Sequence, residues 1–141
     1  MVARDPFLVA VPGGHRLARA GPVRIADLAG EAVLLIEEKH CFHDQALLLC
    51  GRAGAREGEF RSTSLSTLAR LVASGAGVAL LPELAVALEN RSGDLVLRPF
   101  AAPVPARTIV LAWRRTSPRA AALKKVAKTL ARAWPLRPRT S

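Results

Sequence analysis

Short strand-like segments rich in branched apolar residues, Phe7–Val11, Ala32–Ile36, Val78–Leu81 and Thr108–Trp113, alternate along this chain with stretches whose apolar residues return at helical spacing. That alternation is the strongest constraint on the fold. Continuous apolar runs suit strands buried on both faces, and the intervening helices supply the cover. The class predicted is α/β, with a mixed, mostly parallel sheet flanked by helices.

Local signals set the boundaries. Pro12-Gly13-Gly14 closes the first strand, and Gly30 stops a short helix over Ile25–Ala29. A polar loop is predicted over Glu37–His43, followed by a helix capped by Asp44, running through Cys50 and fading by Gly54. Glu59–Thr63 reads as a short strand. Ser64 then caps a helix whose Leu65, Leu68, Ala69 and Val72 share one face, ended by Gly75 and Gly77. Pro82 suits the first position of a further helix. A Ser92-Gly93-Asp94 turn leads into a strand at Leu95–Leu97, and Pro99, Pro103 and Pro105 mark an extended connection. Ser117-Pro118 starts a last helix. Its face of Leu123, Val126, Ala127, Leu130, Ala131 and Trp134 opposes Lys124, Lys125, Lys128 and Arg132.

With 141 residues, half of them hydrophobic, the chain can bury a core of its own. Aromatic residues make up only 4%, so Leu, Val and Ala must fill that core. No apolar run approaches the roughly 20 residues of a membrane helix, and the first residues carry no secretory pattern. The expected location is cytoplasmic, with no membrane partner, where a disulfide is more often transient than structural. The net charge of +10 is concentrated: from Arg98 onward there are eleven basic residues and no acid. A solvated helix face and an Arg-rich tail account for this, and nucleic-acid binding by that segment stays a weak alternative.

Cys41 and Cys50 stand nine positions apart. Cys41 falls at the mouth of the predicted helix beside His40 and His43, where a helix N-terminus and a histidine stabilise the thiolate. Cys50 falls on the apolar run Leu47-Leu48-Leu49. Peroxide converts a thiolate to sulfenic acid, which a second thiol can capture. A helix between the two positions separates them by about 13 to 14 Å, whereas a disulfide needs Cα atoms within about 7 Å, so bond formation would unwind it. Two unrelated cysteines remain an alternative reading of the spacing. So does a metal site from His40, Cys41, His43 and Cys50, although the spacing matches no standard zinc motif.

Lys39-His40-Cys41-Phe42-His43-Asp44-Gln45-Ala46, with Cys50 following, resembles the peroxide-sensing segment of the OxyR group of LysR-type transcriptional regulators. Phe60–Leu68, Leu71–Pro82, Arg107-Thr108-Ile109, Asp5–Val11 and His15–Ala18 are similar to the effector domains of the wider family. The resemblance covers nearly the whole chain to about Trp134. It implies a Rossmann-like subdomain of the type 2 periplasmic-binding-protein fold. Residues 12–99 would form most of a second subdomain, with 1–11 and 100–141 as crossover segments and a C-terminal return. It also implies that the DNA-binding domain and most of the first subdomain lie outside this chain.

By the same resemblance Cys41 is the peroxidatic cysteine and Cys50 its resolving partner. His40 and Asp44 line the peroxide pocket, and Arg107 lies near the reactive thiol. Hydrogen peroxide is the implied signal, self-association into a dimer or tetramer belongs to the full-length protein, and DNA is reached only through the absent domain. No cofactor, metal or enzymatic turnover is implied. His43 stands where an arginine is expected and Lys39 where a glycine is common. A metabolite-binding effector domain and a thiol-dependent redox enzyme are the alternative functions. The apolar face of the last helix, lacking its usual partner, is expected to pack locally or against another chain.

Overall fold

The computed structural model describes residues 1–19, 21–37 and 41–134. Six strands and four helices follow in the order β1 (Ala3–Pro12), β2 (Ala32–Ile36), α1 (Cys41–Ala53), β3 (Arg56–Ser62), α2 (Leu65–Ala73), β4 (Ala79–Pro82), α3 (Glu83–Glu89), β5 (Leu95–Pro99), β6 (Ala106–Ile109) and α4 (Ala120–Ala133). Single 3-10 turns at Arg16–Ala18 and Ile25–Leu28 lie between β1 and β2.

β1 is the spine. Its second half runs antiparallel between β4 and β5, and its first half pairs antiparallel with β6, with Asp5 opposite Arg107. β2 pairs parallel with β3 and meets β4 through a parallel bridge from Val33 to Val78. Every other strand therefore points one way and β1 alone is reversed. The mixed, mostly parallel sheet expected from the sequence is present in strand direction. Most ladder bonds are nonetheless antiparallel, because the reversed strand occupies the middle.

The alternation of side chains along each strand divides the core into two layers. Phe7, Val9, Val11, Val33, Leu35, Val78 and Leu80 face α1 and pack with its buried stripe of Phe42, Ala46, Leu49, Cys50 and Ala53. Ala10, Leu34, Ala79 and Leu81 face the other way, onto Leu68, Ala69 and Val72 of α2. Ser64 caps α2 as expected, its hydroxyl accepting the Thr67 N–H at 3.2 Å. Gly77 runs so close to β2 that a Cβ there would lie 2.6 Å from the Ala32 carbonyl oxygen.

Several boundaries differ from the sequence reading: β1 begins at Ala3 rather than Phe7, β3 spans Arg56–Ser62 rather than Glu59–Thr63, and β5 runs on to Pro99 rather than ending at Leu97. α1 begins at Cys41, so Phe42 and His43 are helical and buried rather than part of a polar loop, and Asp44 lies exposed inside the first turn instead of capping it. Burial of Phe42 against β1 drives that early start. Pro82 is the residue before α3 rather than its first residue. The last strand ends at Ile109, opposite Ala3 at the start of β1, and the Val2 N–H donating to the Ile109 carbonyl at 2.8 Å is the last rung of that pairing. α4 begins at Ala120, since Ser117 is used in a preceding turn that accepts the Arg119 and Ala120 N–H groups. No residue of α4 is buried, and Val126 and Leu130 are nearly half exposed, so its apolar face does not pack locally.

Candidate functional site

Helix α1 carries both cysteines. Nine residues of α-helix are about two and a half turns and about 13 to 14 Å, so the two positions lie on opposite sides of the helix as well as far apart along it. Position 41 opens the helix, where unpaired N–H groups and the helix dipole favour an anion. Cys50 is a free thiol on the buried stripe. Burial first, and the nearby negative charge of Glu57 second, push its pKa from 9.0 up to about 11. Burial thus favours the protonated thiol at Cys50.

Two contacts fix the first turn of α1. The Phe42 ring packs edge-on against Phe7 of β1, with centroids 5.2 Å apart and planes at 64°. His43, 4% exposed, donates from Nδ1 to the Ile36 carbonyl at the end of β2 at 2.7 Å. Neither contact is visible in the sequence, where His43 stands as a neighbour of Cys41, a candidate metal ligand and a departure from the family pattern.

Arg107, on β6, sits opposite Asp5 of β1, and its Nε donates to Asp5 Oδ2 at 2.8 Å. Asp5 is fully buried, and its Oδ1 accepts the Leu84 N–H at the start of α3 at 3.0 Å. On β1, Asp5 and Phe7 are two residues apart and so share a face. The Asp5–Arg107 pair therefore lies along the same strand face that receives Phe42, the neighbour of Cys41. Sequence reasoning passed over Asp5, although it falls in phase with the inward-facing Phe7, Val9 and Val11. Among the other predicted site residues, Asp44 is exposed in the first turn of α1, and His40 lies outside the described residues. The described residues contain no cluster of three or more metal-binding side chains.

A family model described as the LysR substrate binding domain matches residues 2–135. The chain is 42% identical over 127 residues to the DNA-binding transcriptional dual regulator OxyR of Escherichia coli K12, covering 89% of this chain and 42% of that regulator. Among solved structures, the reduced form of OxyR superposes with a TM-score of 0.82 at 36% identity, covering 97% of this chain and 65% of the other. The oxidised form of OxyR superposes with a TM-score of 0.77 at 40% identity, covering 93% and 62%. The chain thus spans less than half the length of the curated regulator it matches.

Proposed function

This chain belongs to the LysR substrate binding domain family, and on that premise we propose that it is the redox-sensing part of a peroxide-responsive transcription regulator. The observation that carries the reading is the placement of two cysteines on one helix, the first at its N-terminus and the second buried nine residues on. Relatives named OxyR and hydrogen peroxide-inducible genes activator support it.

In the proposed reaction the Cys41 thiolate attacks one oxygen of hydrogen peroxide and the O–O bond breaks. Cys41 becomes a sulfenic acid, and the departing hydroxide leaves as water by taking up the proton that the Cys41 thiol released on ionising. The Cys50 sulfur then attacks the Cys41 sulfur, the S–O bond breaks, and water departs with the Cys50 proton. Two thiols and one peroxide give one disulfide and two waters. A cellular thiol reductant resets the pair, so the chemistry is stoichiometric rather than catalytic. His40 and Asp44 would line the peroxide's approach. Arg107, held by Asp5, would supply positive charge along the strand face beneath the first turn of α1.

The response to oxidation would be the remodelling of α1, because no intact helix brings these two positions within disulfide reach. The regulator would be cytoplasmic and self-associating, with DNA bound by a separate domain of a longer protein. Within this chain, residues 12–99 would be most of the second subdomain, and 1–11 with 100–141 the crossovers to the first.

The test is thiol counting before and after one equivalent of peroxide, with mass mapping of the bridged peptides. Loss of two thiols and a Cys41–Cys50 cross-link is expected. Two untouched thiols in a longer form that carries the remaining subdomain would sink the assignment.

A further inference from the structure

We infer that His43 is a positioning residue that latches the Cys41-bearing turn in the dithiol state, and so sets how oxidising the surroundings must be before the disulfide prevails. The inference rests on the disulfide switch proposed above. His43 is buried, and its Nδ1 lies 2.7 Å from the Ile36 carbonyl oxygen. A carbonyl only accepts, so Nδ1 carries the hydrogen.

Ile36 is the last residue of β2, and that end of the strand is itself fixed: the Glu37 N–H donates to the Ser62 carbonyl of β3 at 2.8 Å. The His43 bond therefore spans the connection between β2 and α1 and ties a movable turn to an immobile sheet. Cys50, by contrast, lies within the core stripe between Leu49 and Ala53, and its carbonyl accepts the Ala55 N–H that closes the helix at 3.1 Å. Displacing Cys50 would strip core packing from the middle of the stripe, whereas, among the described residues, displacing the Cys41 turn disturbs the packing of Phe42 at the end of the stripe and breaks the His43 bond. The Cys41 turn is the part that moves, and His43 must release Ile36 when it does. The bond then stabilises the dithiol form alone, and its loss tilts the equilibrium toward the disulfide.

The experiment equilibrates the protein with a small dithiol and its cyclic disulfide at graded ratios. In the exchange, the dithiol reduces the protein disulfide to two thiols and is itself oxidised to the ring. The bridged fraction is read by mass spectrometry. Two variants are compared with the wild type. His43→Leu removes the donor, and His43→Asn keeps a nitrogen donor at the same branch point of the side chain. His43→Leu should oxidise at a dithiol ratio about tenfold more reducing, from the loss of one buried hydrogen bond, while His43→Asn stays within about threefold of the wild type. Urea unfolding supplies a readout that a purely structural role would not give: His43→Leu should lower the midpoint of the reduced form and leave the oxidised form unchanged. An unchanged exchange equilibrium in His43→Leu, or equal losses of stability in both forms, would overturn the latch while leaving the sensor reading intact. A wild type that forms no bridge at any ratio would overturn both.

Discussion

Arg107 Nε donates at 2.8 Å to Oδ2 of Asp5, a carboxylate with no exposed surface, and this pair fastens β6 to the start of β1. Arg107 is about a quarter exposed, so its partner bears most of the desolvation. Removing the cation strands a buried anion. Arg107→Ala should therefore cost about 3–5 kcal/mol in urea unfolding. Asp5→Asn retains an acceptor for the Leu84 N–H and leaves only a partly hydrated guanidinium unpaired, so it should cost distinctly less.

The buried thiol of Cys50 gives a pH dependence. Its folded-state pKa is raised by burial from 9.0 to about 11. The neutral form is thus favoured by folding, and the associated stability is complete below pH 9. It is lost as the pH climbs from about 9 to about 11. Chemical denaturation of the reduced protein across that window should show a steeper decline than in Cys50→Ala, which removes the titrating group.

Cys50→Ala separates the two steps of the proposed chemistry. One equivalent of peroxide should leave a sulfenic acid on Cys41, captured by a dimedone-type probe and located by mass spectrometry. Cys41→Ala should leave Cys50 reduced under the same conditions, since a buried protonated thiol reacts slowly.

Gly77→Ala tests the close approach of the chain to β2. The added Cβ would meet the Ala32 carbonyl oxygen at 2.6 Å and the Leu34 side chain at 3.1 Å. Backbone must shift to accept it, and the expected cost is about 1–3 kcal/mol, read as a lower melting temperature.

Much of the fold was legible in the sequence because its core elements obey simple periodicities. β2 was bounded correctly by an unbroken apolar run, and α2 by a serine cap and an apolar face at helical spacing. The elements that were misjudged depend on partners far along the chain. The end of β6 lies opposite the start of β1, and the early start of α1 follows from Phe42 finding Phe7. At the candidate site, the contrast between the two cysteine environments could be read from neighbouring residues. The burial of Asp5 shows there only as its phase with Phe7, Val9 and Val11, and that of His43 not at all, because a carboxylate and an imidazole ordinarily signal surface and only the folded chain shows the groups that satisfy them.

The reversed strand at the centre of the sheet has a consequence for the order of synthesis. β1 leaves the ribosome before any of its neighbours, yet its hydrogen-bonding partners lie in β4, β5 and β6, the last of them ending at Ile109. The spine is made early and satisfied late, after roughly a hundred further residues have emerged. Nascent chains of this protein should stay protease-sensitive until β6 has emerged, because closing the sheet waits on its most distant contacts.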